Sequence, residues 1–144
     1  MASDLFIVIV GCGRLGSLLA NRLSHAGHAV VVVDSDERAF GELSPEYSGF
    51  RVEGDATELA VLKQAKADQA DLLIATTRDD NVNLMVAQVA RAAFAVPRVL
   101  ARVFEPARKP IYRRLGIESI CPTLVAAELF LETAAAPQSL EDPT

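Results

Sequence analysis

Short apolar runs alternate with longer amphipathic stretches along the whole chain. The runs predict strands at residues 5–10, 28–34, 50–53, 71–77, 98–103 and 116–120. The stretches between them predict helices over 14–26, from 35 or 36 to 43, and over 58–66, 81–95, 107–115 and 122–136. This alternation predicts one α/β domain over residues 1–136 with a doubly wound, parallel six-stranded sheet, followed by a mobile tail at 137–144.

The first strand runs directly into a glycine-rich turn, read as LFIVIVGCGRLG from Leu5 to Gly16. In a nucleotide site of this spacing, Gly11 allows a tight turn and Gly13 lets a pyrophosphate approach the backbone. Gly16 lets the following helix pack close to the sheet, and the helix start offers free N–H groups to the anion. Cys12, in the same loop, is interpreted as a small residue at a free position; a redox thiol is the alternative.

Two charged residues extend this candidate site. Asp34 ends the second strand, where a carboxylate can accept hydrogen bonds from both ribose hydroxyls, or else cap the next helix. Together with Asp36 it would repel a 2′-phosphate, which favours NAD(H), ATP or ADP over NADP. Arg14 lies at the mouth of the loop, where it either pairs with phosphate oxygens or is simply solvated.

Further polar residues follow the third and fourth strands at the same edge of the sheet. Asp55 and Ala56 lie where the adenine end of a dinucleotide would lie, although Asp55 can also cap a helix. Thr76, Thr77 and Arg78 end the fourth strand. Arg102, inside the fifth strand, is either buried with an anionic partner or exposed at an edge.

The last helix is apolar on nearly all sides, with Glu128 and Glu132 as its charged positions before Pro137. A helix of this kind must be covered on nearly all sides. We therefore expect it, over about 122–136, to form a subunit interface; the alternative is a helix folded back onto its own sheet.

Composition and net charge argue against several classes of partner and location. The chain has 144 residues, a net charge of −5 and a sequence pI of about 5.0, which argues against nucleic acid and anionic membranes as general partners. No apolar run approaches the ~20 residues of a membrane span, so we expect no direct membrane insertion. Two cysteines favour a reducing cytosol over a disulfide framework.

Six stretches together resemble a known family. They are IVGCGRLG, VVVDSD, RVEGDAT, DLLIATTRDDNVNLMVAQVAR, LARV with Glu105 and Pro106, and ICPTLVAAELF. They are similar to the N-terminal nucleotide-binding domain of potassium-transport regulators. These are the regulator-of-potassium-conductance, or KTN, domains of Trk- and Ktr-type uptake systems and gated potassium channels.

The resemblance implies a Rossmann-like domain with a C-terminal crossover helix that is not an enzyme. Such domains bind NAD(H) or adenine nucleotides and change the shape of a homo-oligomer, from a dimer to an eight-membered ring. That ring sits on the cytoplasmic face of a membrane-embedded potassium transporter subunit. Many members carry a second, C-terminal regulatory domain, so the chain is either a stand-alone version or a truncated one.

Carried over to this sequence, the resemblance places the phosphates against Gly11, Cys12, Gly13, Arg14 and Leu15. The ribose then lies on Asp34, the adenine on Asp55 and Ala56, and the rest of the ligand on Thr77, Arg78 and Arg102. Glu128 matches an acid that binds a divalent cation in some members.

Two other functions stay open. The first is a small NAD-dependent oxidoreductase or a fragment of one, which would need an acid or base over the nicotinamide. The second is a scaffold of the same fold that binds no ligand.

Overall fold

The computed structural model describes residues 4–138, and its centre is a sheet of six parallel strands. The predicted tail lies mostly outside these residues. The strands are β1 (Phe6–Val10), β2 (Ala29–Asp34), β3 (Phe50–Glu53), β4 (Leu72–Ala75), β5 (Arg98–Arg102) and β6 (Glu118–Ile120). Their order across the sheet is β3-β2-β1-β4-β5-β6, with β1 paired to both β2 and β4. The predicted doubly wound, Rossmann-like sheet is therefore confirmed.

Five α-helices connect or follow the strands. They are α1 (Arg14–His25), α2 (Leu59–Gln64), α3 (Asp80–Ala92), α4 (Lys109–Arg114) and α5 (Pro122–Ala135). One buried cluster joins α1 to one face of the sheet, and a larger one joins α2, α3 and α4 to the other. Both faces of β1 are covered, which explains its unbroken apolar sequence.

The prediction of an α-helix from residue 35 or 36 to residue 43 is wrong, because Glu37–Glu42 form a 3₁₀ helix. Its start is as expected, since the carboxylate of Asp36 accepts a hydrogen bond from the Arg38 backbone N–H. The segment contains Gly41 and is closely followed by Pro45, and neither residue supports a longer α-helix.

The end of α3 also differs from the prediction. The helix begins at Asp80, capped by Asp79, and ends at Ala92 rather than at residue 95. Ala95 has a φ of +52°, a left-handed conformation that no α-helix can include.

Helix α5 contains no buried residue. Leu129 is 62% exposed and Phe130 is 76% exposed, whereas Cys121, immediately before the helix, is buried. The alternative in which this helix folds back onto its own sheet is therefore wrong for the chain by itself. A large apolar surface is therefore left exposed on α5.

Candidate functional site

A cavity of about 750 Å³ opens at the carboxyl ends of the central strands, a size typical of small-molecule sites. It lies beside β1, where the chain reverses direction across the sheet, which is where open α/β sheets bind ligands. Nine of the predicted site residues line it: Gly11, Gly13, Arg14, Asp34, Asp55, Ala56, Thr77, Arg78 and Arg102. Cys12, Leu15 and Gly16 do not line it. Other lining residues that the sequence analysis did not select include Ser35, Ala39, Asp79, Val82 and Phe104.

The three glycines of the loop differ in whether the structure has room for a side chain at their positions. Gly11 has a φ of +103°, and a Cβ there would lie 2.9 Å from the carbonyl oxygen of Thr76. A Cβ on Gly16 would collide with the carbonyl oxygen of Gly11. At Gly13, by contrast, a Cβ would have no atom within 4 Å. Gly11 and Gly16 are therefore needed by the fold itself, and Gly13 leaves the cavity open at the start of α1.

This contrast gives a paired prediction. We expect Gly16→Ala to destabilise the chain by about 1–3 kcal/mol, because the new methyl group meets backbone that cannot move aside. Gly13→Ala should change the free energy of unfolding by less than about 0.5 kcal/mol. If a phosphate lies against Gly13, as the sequence analysis predicts, the methyl group should nevertheless weaken nucleotide binding, because it fills the open space at this position. Urea unfolding and calorimetric titration measure the two effects; equal loss of stability in both variants would contradict the assignment.

Asp34 joins β2 to the glycine loop. One carboxylate oxygen accepts the Cys12 backbone N–H at 2.8 Å, and the other accepts the Asp36 backbone N–H at 2.8 Å. The alternative in which Asp34 caps the next helix is wrong, because Asp36 is the cap. Each oxygen of a carboxylate can accept more than one hydrogen bond, so Asp34 keeps acceptor capacity for a ligand.

Cys12 is fully buried behind this loop. Burial, and after it the negative charge of Asp34, raises the pKa of its thiol to about 11. The thiol is therefore uncharged near neutral pH, and the thiolate is the reactive form of cysteine. This favours the interpretation as a small packed residue over a redox role.

Six of the seven charged residues that line the cavity are separated by sign, and Asp79, next to Arg78, is the exception. Its acidic end, at β2 and β3, holds Asp34, Asp36 and Asp55. Its arginine end holds Arg14 from the glycine loop, Arg78 after β4 and Arg102 on β5. A ligand with hydroxyl groups at one end and phosphates at the other matches this separation.

Local hydrogen bonds keep the acidic end charged. The Arg38 side chain and backbone N–H lower the pKa of Asp36. The hydroxyl and backbone N–H of Thr57 lower the pKa of Asp55, whose Oδ1 accepts both at 2.7 and 2.9 Å. The carboxylate of Asp55 thus closes a local turn rather than capping α2, whose N-cap residue is Glu58.

The two threonines at the end of β4 differ in what they can offer. The backbone N–H and the hydroxyl of Thr77 both donate to Asn83 Oδ1, at 2.8 and 2.7 Å. Thr76 is only 3% exposed and lines the cavity, and among the described residues its Oγ1 has no hydrogen-bond partner. Buried hydroxyls without partners are rare in folded proteins, so a bound ligand is a natural partner for this one.

Arg102 matches neither of the two predicted environments. It is half-buried, and its guanidinium carbon lies 4.1 Å from the centre of the Phe104 ring, a cation–π contact. Its Nε is buried and, within residues 4–138, lacks a partner. Phe104 was missed because no motif marks it; its place just beyond β5, at the edge where the other site residues lie, is the only signal.

Two further observations concern metals and membranes. Across residues 4–138, no three His, Cys, Asp or Glu side chains group closely enough to hold a metal ion. Glu128 lies on α5, outside the cavity lining, and its role stays a prediction. None of the helices in this part of the chain has the length and apolar character needed to cross a membrane.

Known proteins are similar to this chain in sequence and in fold. The chain is 39% identical over 125 residues to the Trk system potassium uptake protein TrkA of Streptomyces coelicolor, covering 87% of the chain and 56% of that relative. The GsuK structure bound to ADP superposes with a TM-score of 0.77 at 27% identity, over 92% of this chain and 34% of the other. The GsuK channel bound to NAD gives 0.75 at 27% identity, over 90% and 23%.

The chain thus spans little more than half the length of that curated relative. Residues 7–122 match the model of the TrkA-N domain. This match includes the sheet from Ile7 in β1 to the end of β6 and every residue that lines the cavity. The chain belongs to the TrkA-N domain family.

Proposed function

We propose that this domain is the nucleotide-sensing regulatory part of a potassium transporter or channel. In this proposal it binds NAD(H) or ATP/ADP and alters the shape of a homo-oligomer in response. The observation that carries the proposal is the cavity at the glycine loop, with acceptors at one end and three arginines at the other. The GsuK structures bound to ADP and to NAD support it, because their fold is the one that forms this cavity.

The arrangement of the cavity suggests how the ligand lies. The ribose hydroxyls donate to the remaining acceptor positions of Asp34, and the adenine lies near Asp55 and Ala56. The phosphates lie over Gly13 at the start of α1, where free N–H groups and the helix dipole favour an anion. The arginine end neutralises the charge of the phosphates. Asp34 and Asp36 together repel a 2′-phosphate, so NAD(H), ATP or ADP fits better than NADP.

Titration calorimetry with ADP, ATP, NADH and NADPH tests the proposal. We expect at least one of the first three to bind with a Kd below about 1 mM, that is, with more than ~4 kcal/mol. NADPH should bind at least tenfold more weakly than NADH. Absence of saturable heat with ADP, ATP and NADH would contradict nucleotide sensing and leave the scaffold without a ligand.

The oxidoreductase alternative has less support. Among the described residues that line the cavity there is no histidine, lysine or tyrosine to act as acid or base near a nicotinamide. The hydroxyl groups of Tyr47 and Tyr112 donate to backbone carbonyls. Hydride transfer from NADH to a small carbonyl compound, followed at the NADH absorbance, would restore this alternative.

The homo-oligomer is supported by two apolar surfaces that residues 4–138 leave uncovered or, at Leu72 and Ile74, only partly covered by the cluster that joins α1 to the sheet. The first is α5. The second is the sheet face that carries Leu72, Ile74 and Leu100, which are half-buried, and Ile120, which is 49% exposed. Strand periodicity puts these side chains opposite the face covered by α3 and α4. In the proposed assembly, α5 of one copy covers this face of another.

The partner and the cellular location that we propose are inferred from the relatives of this chain. The named relative is a potassium uptake protein, and we propose that this chain likewise acts on a membrane-embedded potassium transporter subunit. It then lies in the cytoplasm, at the inner face of the cell membrane, held there by that subunit. Co-purification with the transporter from membranes, lost on deletion of residues 122–136, would support this location.

A further inference from the structure

The first turn of α3 contains two buried polar side chains that the proposed binding site does not use. Asn83 is 0% exposed and Asp80 is 9% exposed. Neither lines the cavity. Buried groups of this polarity require hydrogen-bond partners, and the partners here lie just beyond β4 and at or just beyond the end of β5.

All four hydrogen-bonding positions of the Asn83 amide are filled. Its Oδ1 accepts the backbone N–H and the hydroxyl of Thr77, and its Nδ2 donates to the Thr77 carbonyl at 3.0 Å. Nδ2 also donates to the carbonyl oxygen of Arg102 at 3.0 Å. A primary amide offers two donors and two acceptor positions, so the side chain has one possible orientation. Asn83 therefore joins the end of β4 to the end of β5.

Asp80 makes the corresponding contact just beyond β5. Its Oδ1 accepts the Phe104 backbone N–H at 2.7 Å, and its Oδ2 accepts the Glu105 backbone N–H at 3.2 Å. Hydrogen bonds to a carboxylate are stronger than those between neutral groups. Together, Asp80 and Asn83 fix the backbone at Phe104 and Arg102, the two residues whose side chains contact each other at the cavity wall.

We propose that Asp80 and Asn83 are positioning residues that hold Arg102 and Phe104 ready for the phosphates of the ligand; this rests on the proposed function. A guanidinium on a flexible side chain loses conformational entropy when it orders on a ligand. Here the Arg102 backbone is already held by Asn83. The guanidinium is already stacked on the ring of Phe104, whose backbone N–H donates to Asp80. Arg102 is thus pre-organised before the ligand arrives.

The first experiment titrates ADP and adenosine into the full 144-residue chain. We expect Asn83→Ala to weaken ADP binding by about tenfold, a loss of the size of a net hydrogen bond or two. Adenosine, which has no phosphate, should lose less than about twofold. Asn81→Ala is the matched control: its side chain lies in the same turn, is exposed and accepts from Arg108, so both affinities should stay unchanged.

A second pair of variants tests whether Asn83 acts through Arg102. Arg102→Ala alone should weaken ADP binding, and Asn83→Ala should add less than about twofold to that loss, because residues that act as a unit are not additive. A purely structural role predicts instead that adenosine and ADP affinities fall together, or that neither falls. Either result would overturn the inference.

Hydrogen exchange on the wild-type chain covers the case in which Asn83→Ala does not fold. ADP should slow exchange at the Thr77 and Phe104 amides, which point at Asn83 and Asp80 rather than at the ligand. Protection confined to residues 11–16 would overturn the inference while leaving nucleotide binding intact. A wild-type chain that binds neither ADP nor adenosine would overturn the proposed function, and the inference with it.

Discussion

Replacing Asp34 by alanine is expected to weaken ADP binding by about 100-fold, the largest loss of any single substitution in the cavity. The reason is that a hydrogen bond to a charged group contributes about 1.5–3 kcal/mol, and the proposed ribose contact includes two of them. The substitution also releases the backbone N–H of Cys12, and so loosens the loop that is proposed to hold the phosphates. Titration calorimetry at a temperature well below unfolding measures the change.

Asp71→Ala is the matched control for this variant. The carboxylate of Asp71 accepts the Phe6 backbone N–H at 2.8 Å, so it holds the start of β1 much as Asp34 holds the loop after its end. Both variants should therefore lose about 1–2 kcal/mol of stability, and only Asp34→Ala should lose affinity. If both variants kept the wild-type Kd for ADP, the assignment of Asp34 to the ribose would be wrong.

Placing a charge in α5 is expected to convert the proposed homo-oligomer into monomers. Leu129→Glu puts a carboxylate into a surface that the proposed assembly buries, and an unpaired buried charge costs several kcal/mol. Glu132→Gln is the control on the same helix, because it removes a charge from the narrow polar stripe of α5 and leaves the apolar surface unchanged. Sedimentation velocity gives the mass of each variant.

Two outcomes would contradict the proposed assembly through α5. A wild-type chain that sediments as a monomer at about 100 μM would contradict the assembly directly. A Leu129→Glu variant with the wild-type mass would show that the oligomer forms through another surface. In either case nucleotide binding by the cavity would be unaffected, since α5 contributes no residue to its lining.

The sequence predicted the parts of this fold that depend on local chemistry. The apolar runs located all six strands, and their alternation with helices predicted a parallel sheet. The glycine loop was recognisable because Gly11, Gly13 and Gly16 lie between a strand and a helix at a spacing that physical constraints impose. Asp34 was recognisable because it ends the next strand.

What the sequence did not reveal depends on contacts between distant positions. Asn83 bonds to Arg102, 19 residues away, and Asp80 bonds to Phe104, 24 residues away. In the sequence both are merely polar residues near a helix start, where exposed side chains are the usual occupants. Only the packing of α3 against β5 shows that they are buried and what they hold.

The sequence also could not show which of the two neighbouring threonines, Thr76 or Thr77, has a hydroxyl group without a hydrogen-bond partner among the described residues. Thr77 was selected as a ligand contact, yet its N–H and hydroxyl already donate to Asn83, and the buried hydroxyl without a partner belongs to Thr76. Adjacent side chains in a strand point to opposite faces of the sheet. A prediction that is wrong by one residue therefore assigns each side chain to the wrong face. Whether Thr76 or Thr77 contacts the ligand stays a prediction.

The way α5 leaves the sheet has a mechanical consequence. Its first turn is anchored by Cys121, which is buried and whose thiol contacts the carbonyl oxygen of Phe104 at 3.8 Å. The helix extends 14 residues beyond that anchor, about 21 Å, so a rotation of about 5° at its base displaces its far end by about 2 Å. A shift of the Phe104 backbone would therefore reach the far end of α5 enlarged, because α5 begins beside this residue of the cavity wall.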